Sequence, residues 1–143
     1  MKSSPQVGDV HQFSFQVGAN KVVPALYPES DIFRSMPQVF ATGFMVGLME
    51  WACVEHLRPH LDEGEGSLGV AIDVSHSAPT LPGQTVTVTV TCDRAEGRRL
   101  GWHVVARDEV EVIGEGRHER AVVAWDRFAG KLEEKRRRWQ DGK

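Results

Sequence analysis

The amino-acid sequence predicts a single α+β domain in which a curved antiparallel sheet covers one long buried helix. Residues 39–61 have a helical pattern that ends near Pro59 and the glycines of DEGEGSLG. A strand-like alternation, VHQFSFQV at residues 10–17, precedes this helix, and β-strand patterns dominate the chain after it. A strand, a helix and then a run of strands is an α+β order, and 143 residues fit one domain, residues 1–143.

The remaining elements follow in order along the chain. Residues 24–38 carry three prolines among polar and aromatic residues, which predicts a loop with at most a short helical turn. Four segments after the helix read as strands: LGVAIDVSHSAPT, GQTVTVTVTCDRA, RRLGWHVVARDEV and RHERAVVAWDRF. The segment EVEVIGEG extends the third of these or adds another. Residues 129–143 form a charged tail or a short terminal helix.

Composition excludes several classes of protein. The net charge of −3 argues against a nucleic-acid partner, because duplex binding requires a basic surface. The two cysteines, Cys53 and Cys92, form no CxxC pair and suit small core positions in a reducing compartment. The N-terminus lacks the apolar stretch of a secretory signal, so we expect a cytoplasmic protein.

Residues 35–54 contain a single charge and are long enough to span a bilayer. The segment also contains Pro37, two glycines and Glu50, and it lacks basic flanks. We therefore expect a buried helix and no membrane partner. Because this helix is apolar nearly all round and a sheet covers only one face, a second copy is expected to cover the rest in a homodimer.

Glu50 is the only charged residue between Arg34 and Glu55 and lies within GFMVGLMEWACV. On a helix it shares a face with small and apolar residues, namely Gly43, Val46, Gly47, Cys53 and Leu57. A buried acid of this kind either pairs with an arginine in the core or stays unpaired. Without a partner, burial would raise its pKa and make it a candidate base or nucleophile.

His76 ends an apolar row in the first strand after the helix. Strict alternation places Val70, Ile72, Val74 and His76 on one face, toward the core, with the neighbouring serines on the other. A lone histidine on such a face is usually a structural residue. If it converged with Glu50 on one cavity, the two would form an acid–base pair.

Thr42 lies eight residues before Glu50, which is about 12 Å along a regular helix. The two side chains could not then reach the same small group from one helix. Thr42 is therefore expected to precede or cap the helix, unless the site combines two subunits.

Other motifs carry little chemistry. The GxGxxG match at residues 64–69 follows a helix and enters a strand, which is the reverse of a dinucleotide-binding loop. His56 and His60 have no third ligand in view, so neither a metal nor another cofactor is expected. Arg120 lies among apolar strand residues and should have a partner. The basic run KRRRW near the end of the chain is expected to be solvated.

Five segments together resemble the fluoroacetyl-CoA thioesterase group of the hot-dog superfamily: LYPESDIF, VFATGFMVGLMEWACV, PGQTVTVTV, EGRRLGW and IGEGRHERAVV. The resemblance extends over residues 7–128. It implies a hot-dog dimer that hydrolyses a short acyl-CoA, with the coenzyme as part of the substrate. It also implies that Thr42, Glu50 and His76 are catalytic.

The same resemblance assigns residues that bind the substrate. Gly69 corresponds to a position near the thioester carbonyl and Arg120 to an arginine of the same motif, while Val23, Leu26 and Phe33 correspond to an apolar lid over the acyl group. Where the family lid has a second aromatic residue, this chain has Met36, a more flexible side chain.

The residues leave several functions open. Glu50 acts as a nucleophile or as a base toward water; alternatively, His76 removes an α-proton from a fluorinated acyl group before cleavage. A hot-dog hydratase or dehydratase acting on enoyl-CoA would use the same two residue types. A non-catalytic binder of acyl-CoA or another small ligand would keep the pocket and merely pair the acid.

Overall fold

The computed structural model describes residues 1–142. Five strands are present: β1 (Val10–Gln16), β2 (Glu65–Val74), β3 (Thr85–Glu96), β4 (Arg99–Arg107) and β5 (Val112–Ala124). The helices are α1 (Val23–Leu26), α2 (Asp31–Arg34), α3 (Thr42–Leu57) and α4 (Trp125–Asp141), with single 3₁₀ turns at Ala19–Lys21 and Arg58–His60.

The five strands form one sheet in the order β1-β3-β4-β5-β2, and every neighbouring pair is antiparallel. Strands β3, β4 and β5 follow one another through short turns, whereas β1 and β2 lie at the two edges. The sheet packs against α3. The predicted α+β class is confirmed.

The core forms between α3 and the alternating side chains of β3 and β4. In TVTVTVTC the valines and Cys92 face inward, and the threonines lie on the other face. Trp102 of β4 is fully buried, and its indole N–H donates to Nδ1 of His56 at 3.0 Å. Cys53 and Cys92 are both free and buried, as expected. No helix among residues 1–142 is long and apolar enough to cross a membrane.

The long helix begins three residues later than residue 39, where its pattern was predicted to start. Residues 39–41 lie outside the helix and pair with the chain around the start of α1. The Val23 N–H donates to the Val39 carbonyl, and the Ala41 N–H donates to the Lys21 carbonyl. The proline-rich segment after Val23 holds two short helices rather than at most one turn.

The C-terminal third contains two further differences from the predicted elements. EVEVIGEG neither extends β4 nor forms a separate strand, because β5 begins at Val112 and runs through it. The predicted last strand ends at Ala124, and WDRF is already helical. The spacing of Trp125, Phe128 and Leu132 is helical, and α4 runs from Trp125 to Asp141. The charged tail or short terminal helix expected at residues 129–143 is therefore part of a longer helix that begins four residues earlier. Lys143 lies outside the described residues.

Strand β2 differs most from its predicted environment. Val70 and Ile72 were expected to face the core, but they are 44% and 40% exposed. The strand lies at a sheet edge, its register on β5 shifts between Gly69 and Ala71, and it ends at Val74. His76 therefore follows the strand rather than ending a buried row. Alternation identifies the two faces of a strand but not its position in the sheet.

Candidate active site

Thr42 and His76 form the first half of the site. Thr42 is the first residue of α3, and Ala41 occupies the cap position without a side-chain hydrogen bond to the helix. The expectation that Thr42 precedes or caps the helix is therefore wrong. Its hydroxyl is instead 2.7 Å from Nδ1 of His76.

The imidazole of His76 is held against Thr42 with one nitrogen unused. Nε2 is buried and has no hydrogen-bond partner within residues 1–142. Burial lowers the pKa of His76, and a contact with the Ala78 backbone opposes that shift, so the ring is neutral near pH 7. A neutral ring beside a hydroxyl can accept its proton, which is the arrangement of a base and the group it activates.

The two residues open into a cavity of about 290 Å³, which Val23, Phe40 and Pro79 also line. A cavity with apolar walls and two converging polar groups is the usual form of a small-molecule site. Ser75 and Ser77 donate to the carbonyls of Glu115 and Ile113 and not to the imidazole, in agreement with their predicted orientation away from it.

Glu50 belongs to a second half-site. It lies on α3 two turns beyond Thr42, about 12 Å along the helix. Its side chain is 42% exposed in the single chain, so Glu50 is not the buried acid that the apolar run predicted, although it does lie beside an arginine. Oε1 lies 4.0 Å from Nη1 of Arg120, which is an ion-pair distance but too long for a hydrogen bond.

Gly69 allows the Glu50 carboxylate to approach β2 closely. A Cβ atom at residue 69 would lie 2.9 Å from Oε1 of Glu50 and 3.3 Å from Cε1 of His118, so a side chain there would push the carboxylate away. Glu50, Gly69 and His118 line a cavity of about 310 Å³ together with exposed residues of β2, including Val70 and Ile72.

Arg120 is 7% exposed, and its guanidinium is bonded on several sides, as expected of a strand arginine. Nε donates to the Ser67 hydroxyl at 2.8 Å, Nη2 to the Ser67 carbonyl at 3.0 Å and Nη1 to Nε2 of His118 at 3.1 Å. Burial lowers the pKa of Arg120, and the Glu50 carboxylate opposes this. These bonds hold a positive charge beside the Glu50 cavity.

His118 is the residue that the sequence interpretation missed. Its Nδ1 lies 2.8 Å from the Ala71 carbonyl, which can only accept, so Nδ1 carries the proton. Nε2 is then the acceptor for Arg120, and the ring is neutral. Alternation within RHERAVV puts His118 and Arg120 on the same face of β5, so the pattern contained the signal.

The lid residues lie mainly at the Thr42 end of α3. Val23 lines the cavity with His76, and Leu26 packs so closely on Gly43 that a Cβ there would lie 3.1 Å from Cδ2 of the leucine. Phe33 packs on Tyr27, with ring centroids 5.8 Å apart. Met36 follows α2 and is 38% exposed; it does not line either half-site cavity among the described residues.

The structure thus brings Thr42 to His76, and Glu50 to Gly69 and Arg120, but within one chain the two halves remain separate cavities. The hypothesis that Glu50 and His76 of one chain share a cavity is wrong. Residues 1–142 contain no cluster of three or more residues suited to a metal ion. His60, considered as a ligand with His56, is bonded to the Ser3 hydroxyl at 2.7 Å.

The fluoroacetyl-CoA-specific thioesterase family matches residues 24–126. A fluoroacetyl-CoA thioesterase from Streptantibioticus cattleyicolor is 54% identical over 135 residues, covering 94% of this chain and 97% of that protein. The chain belongs to this family. The resemblance of residues 7–128 to the fluoroacetyl-CoA thioesterase group is confirmed.

Solved structures agree with the fold of this thioesterase family. A variant of a fluoroacetyl-CoA-specific thioesterase in complex with fluoroacetate and CoA is 56% identical, with a TM-score of 0.85, covering 87% of this chain and 99% of that one. A hot-dog-like protein from Thermanaerovibrio acidaminovorans is 30% identical, with a TM-score of 0.76, covering 90% of this chain and 91% of that one. The hot-dog arrangement implied by the resemblance is confirmed.

Proposed function

We propose that the protein hydrolyses a short acyl-CoA thioester to the free acid and CoA. The observation that carries the proposal is the 2.7 Å contact between the Thr42 hydroxyl and a neutral, half-buried His76. This pair lines a cavity in a chain of the thioesterase family. A thioester carbonyl is already electrophilic, so a site that supplies a nucleophile, a proton carrier and an oxyanion donor suffices.

We further propose that the active unit is a homodimer. The outer edge of β2 carries no strand among residues 1–142, and its apolar Val70 and Ile72 are exposed. A second copy that pairs antiparallel with this edge around Ile72 would place residue 69 of one chain opposite residue 75 of the other. His76 of one chain would then lie beside Glu50 and Gly69 of its partner, and the two half-sites would become one.

In this composite site each residue has a distinct role. Glu50 is the nucleophile or the base toward water, and the Arg120 guanidinium lies 4.0 Å from its carboxylate as a fixed positive charge. Neutral His76 receives the proton of the attacking water, directly or through Glu50, and passes it to the leaving thiolate, so the products are the free acid and the CoA thiol. Thr42 orients the imidazole and the acyl group, and the backbone N–H of Gly69 polarises the carbonyl. If the acyl α-carbon bears fluorine, a second route is open in which His76 removes an α-proton before the thioester is cleaved.

The assay that tests this function is release of free thiol from a series of short acyl-CoAs. We expect turnover with acetyl-CoA and fluoroacetyl-CoA, with activity falling on acidification because His76 must be neutral to accept a proton. Its pKa is lowered by burial, so the fall should lie below the ordinary value of 6.5. Loss of enoyl absorbance without thiol release would favour the hydratase, and calorimetric binding without either product would favour a binding protein.

The lid governs which acyl group is accepted, and Met36 is the residue that departs from the family pattern. Replacing Met36 with Phe should increase the preference for fluoroacetyl-CoA over acetyl-CoA by a few-fold, because a rigid ring closes the pocket more selectively than a flexible thioether. The measurement is the ratio of kcat/KM for the two substrates. Met36→Leu, which changes size little and adds no ring, is the control; an unchanged ratio in Met36→Phe would exclude Met36 as the selectivity gate.

The other elements of the proposal follow from composition. Two free, buried cysteines and a net charge of −3 support a reducing, cytoplasmic location without nucleic-acid or membrane partners. The chemistry assigned above requires no metal or cofactor besides the CoA of the substrate. Residues 1–143 would act as a single domain.

A further inference from the structure

A third cavity, of about 420 Å³, lies outside both half-sites, between α4, the end of β5 and the turn that joins β3 to β4. Its cationic side chains are Arg98, Arg127 and Lys131, and Val123 and Phe128 contribute apolar walls. No carboxylate is among the described residues that line it. In a chain of net charge −3, this is a local concentration of positive charge.

Two of the three cations have no anionic partner. Arg127 and Lys131 are four residues apart on α4, so they share a face, and like charges at that spacing repel. Neither forms an ion pair within residues 1–142, whereas Arg136 on the same helix pairs with Glu133. Arg98 contacts Glu65 at 3.1 Å, but Glu65 also pairs with the N-terminal amine at 2.8 Å. The cavity is therefore arranged for an anion from outside.

The cavity is connected to the proposed active site through β5. Arg120, beside Glu50, is two residues before Val122 and four before Ala124, both of which line the cavity. At about 3.3 Å per strand residue, the separation is roughly 7–13 Å along β5. The Arg98 carbonyl accepts from the Val122 N–H at 2.8 Å and fixes the turn against this strand. The extended pantetheine arm of an acyl-CoA can cover such a distance.

We propose that this cavity binds the phosphate groups of the acyl-CoA substrate, with Arg98, Arg127 and Lys131 as the contacting residues. The inference rests on the proposed thioesterase function and adds to it the subsite that recognises the nucleotide end of the substrate. Arginine and lysine hold phosphate oxygens by charge-assisted hydrogen bonds, and the apolar walls suit the face of the adenine ring. Binding at this distance from the scissile bond affects capture of the substrate and not the chemical step.

The test compares acyl-CoA with the corresponding acyl-pantetheine, which lacks the nucleotide phosphates. The double variant Arg127→Ala/Lys131→Ala should raise KM for acyl-CoA by about tenfold, as expected for lost phosphate contacts, and leave kcat unchanged. Its KM for acyl-pantetheine should equal that of the unmodified protein. Adenosine 3′,5′-bisphosphate should inhibit hydrolysis of acyl-CoA by the unmodified protein, and more weakly by the variant.

The matched control is Arg137→Ala/Arg138→Ala, which removes the same charge from exposed positions of α4 that do not line the cavity. Equal increases in KM for acyl-CoA in both double variants would show a non-specific attraction of the substrate to the positive charge of α4 and would overturn the subsite. The subsite would also be overturned if Arg127→Ala/Lys131→Ala raised KM for acyl-pantetheine as much as KM for acyl-CoA. Direct calorimetric binding of adenosine 3′,5′-bisphosphate tests the subsite even if no thioester is hydrolysed. Binding without hydrolysis would reject the thioesterase proposal alone, and hydrolysis with unchanged KM would reject the phosphate site alone.

Discussion

A mixture of Glu50→Ala chains and His76→Ala chains is expected to hydrolyse acyl-CoA although neither variant does so alone. Each single variant should lose about 10²- to 10⁴-fold in kcat, the usual contribution of a general acid or base. In a composite site, Glu50 comes from one chain and the Thr42–His76 pair from the other. A mixed dimer then has one site with both defects and one site that is intact.

The size of the recovery is set by the symmetry of the dimer. Random exchange gives mixed dimers in half of the population, each with one functional site of two, so activity should return to about one quarter of the unmodified level. The two chains must be refolded together or co-expressed so that dimers exchange. Thiol release per mole of dimer is the measurement, and sedimentation or light scattering verifies the dimer.

The control pairs Thr42→Ala with His76→Ala. These residues are hydrogen-bonded within one chain, so both defects fall in the same half-site and no mixed dimer regains a complete site. Recovery in this control, or none in the Glu50 and His76 mixture, would show that the halves do not combine across subunits. The Glu50 and His76 mixture would show no recovery if each site were completed within a single chain or if the active enzyme were a monomer.

Strand β3 and helix α3 show what the sequence could reveal. The alternation in TVTVTVTC reports which side of β3 is buried, because side chains alternate across a strand, and the apolar run around Glu50 reports a helix that needs cover on several sides. Both are local patterns with a direct physical cause. The same alternation placed His118 on the face of β5 that carries Arg120, two residues away. However, a buried histidine in a strand cannot be distinguished from a structural residue until its partners are known.

Strand β2 shows what the sequence could not reveal. Its apolar residues indicate a face that will be covered, but the cover can come from the core or from another chain, and only the sheet order places β2 at an edge. The contact between Thr42 and His76 spans 34 residues and depends on the extended segment that delays the start of α3. The family resemblance pointed to Thr42, Glu50 and His76 as candidate catalytic residues. Their division into two half-sites is a property of the tertiary structure, which the sequence pattern does not contain.

Replacing His118 with Leu should lower kcat/KM by about 10- to 100-fold while the fold is retained, because one hydrogen bond to a charged group is worth roughly 1.5–3 kcal/mol. His118 does not contact the reacting atoms in this proposal; it is a positioning residue. Its Nε2 accepts from Arg120, and without that acceptor the guanidinium can turn toward Glu50 and shorten their 4.0 Å separation. A carboxylate in a tight ion pair is a poorer nucleophile and base.

The conservative variant His118→Gln separates positioning from packing. A glutamine carbonyl can occupy the position of Nε2 and accept from Arg120, so we expect this variant to keep most of the activity that His118→Leu loses. Thermal unfolding should be measured for both, since equal losses of activity that follow equal losses of stability would indicate a purely structural histidine.

The pH profile provides the second readout. Burial lowers the pKa of His118 below its ordinary value of 6.5, and the Arg120 cation lowers it further. The hydrogen bond to the Ala71 carbonyl and the Glu50 and Glu119 carboxylates raise this pKa, but the net shift is downward. As the pH falls below 6.5, the unfolded chain takes up a proton that the folded chain resists, so stability decreases on acidification. Activity decreases as well, because a protonated Nε2 can no longer accept from Arg120.

Two histidines must therefore be neutral for turnover, His76 in one half-site and His118 in the other, and the acid side of the kcat/KM profile should be steeper than one protonation allows. In His118→Gln only His76 still titrates, so the slope should fall to that of a single proton while the activity near neutral pH is largely kept. An unchanged slope in this variant would mean that protonation of His118 does not affect the Glu50 carboxylate. The hydrogen bonds to Ser67 would then be sufficient to hold Arg120 in position.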